Sequence, residues 1–269
     1  MRKTIGLSVF IILVWLIYPV TSNAETALRV KGLLWDSTID GKIKADNGSL
    51  TGTQIDLKDM LGITKSSSVP EFEAKFNFLG TSRLIVSYMP ASYEGTKTIN
   101  QNISIAGKTF IVSERLKTNL DIAIGSVLYE SLSFQETPAG AGAPDEPDLG
   151  LLLGVKYFYI DGQITSDNTA ITAEKSLGAP IPVIGLRLQE TLLEKAQIEL
   201  TYTIMKIKTS GINVSWSDLY AELKLNLVKQ LTFGVGYKLT KVNLKNGNDP
   251  EFLSRFNFGG LYALASLNF

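Results

Sequence analysis

The chain of 269 residues contains no cysteine and no histidine. Without cysteine there is no disulfide framework, no thiolate nucleophile and no acceptor for a lipid anchor behind a leader. Without histidine, Ser-His-Asp hydrolysis, Asp-His proteolysis and histidine metal sites fall away. No excess of positive charge is present either, since 26 Lys and Arg stand against 26 Asp and Glu. Nucleic acid is therefore not an expected partner, because its binding rests on surplus cations against phosphate. Beyond residue 24 no apolar run reaches the roughly 18 residues that mark a membrane helix. A run at the short end for spanning a bilayer, from Ile5 to about Val20, opens the chain within "MRKTIGLSVFIILVWLIYPVTSNA". Its basic start, apolar middle and small-residue end read as a cleaved signal peptide over residues 1–24, leaving 25–269 as one exported domain.

What the sequence has in quantity is alternation. In "PEFEAKFNFLG" Phe72, Ala74, Phe76 and Phe78 share one face while Glu71, Glu73, Lys75 and Asn77 share the other. In "DLYAELKLNLVKQLTFGVGYKL", Leu219, Ala221, Leu223, Leu225 and Leu227 alternate with Asp218, Tyr220, Glu222, Lys224 and Asn226. Period two with one apolar and one polar face is the mark of a strand. About ten strands are expected, centred on 27–36, 69–79, 83–94, 109–134, 149–163, 180–192, 197–208, 215–227, 231–243 and 256–269. Eight or twelve remain compatible with the pattern. Tight turns near 80–82, 194–196 and 228–230 alternate with long polar connections near 36–68, 98–108, 165–178 and 245–254. Strands this long, with short connections at one end and long ones at the other, point to a closed antiparallel transmembrane β-barrel rather than a soluble sandwich. The connection "ETPAGAGAPDEPD", residues 136–148, is long where a tight turn belongs.

In lipid, backbone N–H and C=O groups must be paired, so a spanning sheet has to close and the apolar face must meet lipid. The charged face then lines the lumen. Its expected members are Arg29, Lys31, Glu71, Glu73, Lys75, Arg83, Asp121, Lys156, Arg187, Glu199, Asp218, Glu222, Lys224 and Lys238, interspersed with Gly125, Gly154, Gly185, Gly234 and Gly236. Mixed signs in a narrow interior favour ion pairs across the barrel, since an unpaired buried charge is strongly destabilising. Glu71 and Glu73 offer an acid–base pair on paper. Two residues apart on a strand, they fit the ion network better, and no catalytic residue, cofactor or metal ligand is assigned.

Aromatics are expected to girdle both interfaces, with Phe78, Phe134, Phe233 and Phe269 at the periplasmic ends and Trp35, Tyr93, Trp216 and Phe256 at the external ends. In the first loop Asp36, Asp40, Asp46 and Asn47 form an oxygen-rich set that lacks the spacing of a calcium loop, and solvated turns explain them better. Residues 51–63, "TGTQIDLKDMLGI", read as a short strand and a helical turn capped by Asp56, a partly apolar loop suited to capping the barrel. The sequons at Asn102 and Asn213 carry no meaning in a bacterial outer-membrane protein.

The last residues, "GGLYALASLNF", place Leu261, Ala263, Ala265, Leu267 and Phe269 on one face. A terminal aromatic behind alternate apolar residues resembles the signal by which such barrels are handed to their assembly machinery. The segments "PEFEAKFNFLGTSRLIVSY", "IPVIGLRL", "LTFGVGYKL" and "LYALASLNF" resemble uncharacterised outer-membrane β-barrel proteins of Gram-negative bacteria. That resemblance implies location and fold and carries no catalytic residue with it. Two roles follow as expectations: an outer-membrane barrel with a filled lumen and a structural or surface-interaction role, whose partners are lipid and an unknown surface ligand, or a narrow porin-like channel for small solutes.

Overall fold

The computed structural model describes residues 28–46, 51–64, 67–78, 82–132, 148–193, 195–208, 212–246 and 252–269. The signal segment and all but the last residue of the 136–148 connection lie outside them. Strand is almost the only regular structure present: β1 (Leu28–Ala45), β2 (Ile55–Asp56), β3 (Ser67–Phe78), β4 (Ser82–Thr98), β5 (Ile103–Ile105), β6 (Lys108–Phe110), β7 (Arg115–Leu132), β8 (Asp148–Ser166), β9 (Thr172–Leu193), β10 (Ala196–Lys208), β11 (Ile212–Val228), β12 (Leu231–Asn246) and β13 (Phe252–Asn268). Neighbours in the sequence pair antiparallel, and β13 returns to β1 over a ladder from Arg29↔Asn268 to Ala45↔Phe252. With β2, β5 and β6 set aside as loop strands, ten strands close the barrel.

Several strands run far longer than the expected segments. β9 has 22 residues and β8 has 19, where a tilted strand crosses a membrane in about 9–11. The surplus lies at the end opposite Leu28 and Phe269, and there the faces exchange roles. On β11 the outward residues are Leu227, Leu225, Leu223 and Leu219, then Ser217, Ser215 and Asn213; the inward ones are Lys224, Glu222 and Asp218, then Trp216 and Val214. β8 does the same, with outward Leu151, Leu153, Val155, Tyr157 and Tyr159 giving way to Asp161 and Gln163, while inward Lys156 gives way to Phe158, Ile160 and Ile164. One part of the barrel is apolar outside and charged inside; the other is polar outside and apolar inside.

This exchange accounts for the loop expectations that fail. Residues 36–45 were expected in a long loop but continue β1, with Asp36, Thr38, Asp40 and Lys42 outward and Ser37, Ile39, Gly41 and Ile43 inward. The expected loop over 165–178 shrinks to 167–171 for the same reason. In the first loop, β2 pairs with β1 at Lys42 and Ile43, above the end of the β3 ladder. The Asp56 carboxylate accepts from the backbone N–H of Lys58 at 3.0 Å and Asp59 at 2.9 Å, forming the expected cap. Ile55, Leu57, Leu61 and Ile63 are thereby turned into the barrel mouth and fully buried. The β5–β6 hairpin turns on Ala106 (φ 50) and Gly107 (φ 77), the left-handed pair that a two-residue hairpin demands. It lays Ile103, Ile105 and Phe110 over the same mouth.

One seam is incomplete. β9 pairs with β8 up to Thr172, but its ladder with β10 stops at Ile184↔Ile204, while β10 continues along β11 to Lys208↔Asn213. The wall is therefore notched at the β10–β11 hairpin, beside a β9 edge that carries Pro180 and Pro182. Prolines remove donors from a strand edge and discourage pairing with other chains.

Candidate functional site

The lumen of the lipid-facing part is built by inward side chains from all ten wall strands. Lys31 of β1 lies 3.0 Å from Glu222 and 3.3 Å from Glu73, and Lys75 lies 3.5 Å from Glu73 and 3.4 Å from Glu199. Glu199 also meets Lys224 at 2.6 Å and Arg187 at 3.7 Å. Arg187 pairs onward with Glu130 and, at 2.9 Å, with Asp148, which Arg83 approaches at 3.6 Å. One connected belt of ion pairs thus crosses the interior, and the Tyr262 hydroxyl donates to Glu222 at 2.9 Å at its edge. Above it Lys238 pairs with Glu71 at 2.6 Å and sits over the rings of Trp35 and Tyr220, each 4.7 Å away. Lys156 pairs with Asp218, which also accepts from Trp216 Nε1 at 2.6 Å.

Higher still the interior is aromatic. Phe158 packs edge-on to Trp216 with ring centres 6.2 Å apart, Phe256 lies 6.0 Å from both Phe158 and Phe258, and Tyr93 donates to Ser37 at 2.9 Å. Aliphatic residues of β1, β7, β8 and the two capping loops complete the core. A polar cavity of about 40 Å³ remains beside Lys31, Glu73, Ser87, Ser126 and Thr203, and an apolar one of similar size beside Leu57, Leu61, Leu120, Ile164 and Leu177. Each has room for a few water-sized molecules.

Of the expected lumen set, Lys31, Glu71, Lys75, Lys156, Arg187, Glu199, Asp218, Glu222, Lys224 and Lys238 are buried inside the barrel, Glu73 and Arg83 partly so, and Arg29 bonds Asn268 at 2.7 Å at the lower rim. Asp121 does not join them. It faces outward and accepts from Ser92 at 2.7 Å, with Gly125 on the same outer face. Asp121 lies above the exchange level, where a carboxylate belongs in water and Leu120 and Ile122 belong inside. The network gains two members that pattern reading missed, Glu130 and Asp148. Glu130 shares the parity of Ser126 and opposes the outward pair Val127 and Tyr129, the signal that could have identified it.

The external girdle also differs from expectation. Trp35, Tyr93, Trp216 and Phe256 all point inward and are essentially inaccessible. The outward aromatics near the level of the exchange are Tyr88, Tyr157, Tyr159, Tyr202 and Tyr237. At the opposite end Phe233 and Phe269 face outward, whereas the side chain of Phe78 and all of Phe134 lie outside the described residues. Leu261, Ala263, Ala265, Leu267 and Phe269 share the outer face of β13. Asp36 and Asp40 stand on the outer wall and Asp46 pairs with Lys44 at 3.4 Å, so these three are not gathered around one point; Asn47 lies outside the described residues.

Outside the wall, Glu114 organises the second loop. Only 4% exposed, it accepts from Ile111 N–H at 3.1 Å and Thr169 Oγ1 at 3.3 Å. A hydrogen bond from Ser166, with these two behind it, outweighs burial and holds its carboxyl below the usual range. A depressed folded pKa adds stability that is present above the unfolded value of about 4.3 and is lost as pH falls through the folded value. Amide-exchange protection of residues 111–114 is therefore expected to fall on acidification below the ordinary carboxylate range, and Glu114→Gln should flatten that dependence. Equal pH profiles for the two proteins would refute the assignment.

No family model matches this chain, and no curated protein does. Among solved structures, the outer-membrane protease OmpT from Escherichia coli superposes with a TM-score of 0.56 at 11% identity, covering 93% of this chain and 99% of that one. The translocator domain of the autotransporter NalP from Neisseria meningitidis gives a TM-score of 0.47 at 11% identity over 98% and 96%. At such identities the likeness concerns architecture and not activity. The chain has the fold of an outer-membrane β-barrel, closed, antiparallel and ten-stranded.

Proposed function

We propose that the protein is an integral outer-membrane barrel, exported by its leader and inserted by the barrel assembly machinery, whose lumen is closed to solutes and whose work is done by the part that projects from the membrane. On this reading it is a non-enzymatic anchor that presents a rigid, loop-capped wall to other surface components. The observation that carries the reading is the belt of ion pairs from Glu222 through Lys31, Glu73, Lys75, Glu199 and Arg187 to Asp148, with an aromatic core stacked on it. A solute would have to break buried pairs and then cross an apolar layer. The carboxylates that chemistry would need are already engaged, Glu71 by Lys238 and Glu73 by two lysines.

The polar cavity beside Ser87 and Ser126 favours the second reading, a narrow hydrated channel. Residues 25–269, refolded with barrel formation verified by heat-modifiable gel mobility, are expected to leave a planar bilayer silent. Steady single-channel currents that change in Lys224→Ala would establish the channel instead.

A further inference from the structure

Charge on the outer wall above the exchange level is spread unevenly, with cations in excess on one side and both signs mixed on the other. On β4, β7, β8 and β9 and the turn after β8 the surface charges are mixed: Glu94, Asp121, Asp161, Asp167 and Glu174 stand with Lys97, Arg115, Lys117 and Lys175, and Arg115 and Lys117 both engage Asp167. On β10 to β13 and the adjoining β1 the outward cations are Lys206, Lys208, Lys241, Lys245, Arg255 and Lys42, all exposed, against two outward carboxylates, Asp36 and Asp40 of β1. The ladders place them in rows: Lys42 is opposite Arg255, Arg255 opposite Asn243, Asn243 opposite Ser215, and Ser215 opposite Lys206. One step up, Lys245 is opposite Asn213 and Asn213 opposite Lys208. At about 4.8 Å between strands, the rows make a continuous basic strip about 20 Å wide. Lys42, Lys206, Lys208, Lys241 and Arg255 have no ion pair among the described residues. Of the carboxylates beside them, Asp46 is engaged by Lys44 and Asp40 stands on β1 at the far edge.

We infer that this strip binds the phosphate groups of a phosphorylated glycolipid in the outer leaflet. The inference rests on the outer-membrane placement proposed above. The strip's lower edge fixes the source of the phosphate. Lys206 and Lys208 follow Ile204 and Tyr202 on the outer face of β10, and Lys241 follows Leu239 and Tyr237 on β12. At about 6.6 Å per outward step, Lys206 and Lys241 stand one step above the lipid-facing surface and Lys208 two, at headgroup level, where each is attracted to anionic lipid. With strand tilt the rows climb from there to Arg255 and Lys42, so they match a headgroup that carries phosphates away from the membrane. Asn213, Ser215 and Asn243 between the cations supply donors to sugar and phosphate oxygens. The mixed signs on the opposite side argue against a strip that merely keeps the wall soluble, since there solubility is met without a run of cations.

The test uses residues 25–269 in neutral phosphatidylcholine nanodiscs, titrated with bis-phosphorylated lipid A or its dephosphorylated form, with bound lipid counted by native mass spectrometry. The protein is expected to prefer the phosphorylated lipid by at least about tenfold. The triple variant Lys206→Gln, Lys208→Gln, Lys241→Gln should lose about tenfold or more of that binding, while Asp161→Asn on the opposite side leaves it unchanged. If the triple variant fails to fold, Lys206→Gln and Lys241→Gln alone should each move binding in the same direction. Equal binding of the two lipids, or equal binding by parent and variants, overturns the inference. So does inorganic phosphate that displaces the lipid at low millimolar concentration, since the strip would then be a sink for soluble anions. A conducting barrel that keeps the lipid preference would sink the closed-lumen reading alone, and a silent barrel without the preference would sink only this one.

Discussion

Glu199→Gln is expected to destabilise the barrel by about 3–5 kcal/mol, the cost of breaking a buried ion pair from one side. The substitution keeps the shape of the side chain and removes only its charge, so no cavity contributes. Three cations lose a partner: Lys224 at 2.6 Å, Lys75 at 3.4 Å and Arg187 at 3.7 Å. Their fates differ. Arg187 keeps Glu130 and Asp148, and Lys75 keeps Glu73, but Lys224 keeps no carboxylate within 4 Å among the described residues and accounts for most of the cost. Adding Lys224→Met should therefore restore much of the stability, because replacing both members of a buried pair by groups of similar volume is often neutral. Urea unfolding in vesicles, followed by the fluorescence of the buried Trp35 and Trp216, measures both. A cost below about 1 kcal/mol for Glu199→Gln would mean that water screens these charges as it does surface pairs, and the channel reading would gain what the closed one lost.

That belt was largely legible in the sequence, because within lipid one rule governs every strand: apolar residues point out, charges point in. The rule located Lys31, Glu199, Glu222 and Lys224 from parity alone. It failed wherever the strand left the membrane. Charge alone puts Asp121 inside, yet above the exchange level water lies outside and the aliphatic Leu120 and Ile122 take the interior. The aromatic residues Trp35, Tyr93, Trp216 and Phe256 flank the lipid-facing stretches as girdle residues do, and they instead form the layer where the interior turns from charge to hydrocarbon. The polar residues of 36–45 looked like a loop because a run of Asp, Ser, Thr and Gly carries turn signals, although its period of two was intact. Cross-strand partners such as Glu130 and Asp148 depend on tilt and register, which one strand read alone does not specify.

The exchange of faces yields a second large effect, with its own internal control. Phe158→Ala is expected to cost about 3–5 kcal/mol, as for a large side chain removed from a packed core, although Phe158 sits inside a membrane barrel two residues from the lumen charge Lys156. It is fully buried against Trp216 and Phe256. The reason is the solvent around the wall. In lipid, hydrocarbon outside the barrel is already in its preferred surroundings and the interior can be polar; in water, the hydrophobic effect holds a wall together only if apolar groups are removed from solvent. Arginine placed outward should report the same boundary. At Leu223 or Val235 it should cost about 2–4 kcal/mol, as at the bilayer midplane, and at Ser215 or Asn243, each eight residues along on the same face, within about 0.5 kcal/mol of nothing. Were the projecting part a water-filled vestibule, Phe158→Ala would cost less than about 1 kcal/mol. Were that part embedded in lipid, arginine at Ser215 would cost as much as at Leu223. Only a wall that passes from lipid into water, with its core moving from charge to hydrocarbon at the same level, gives both results together.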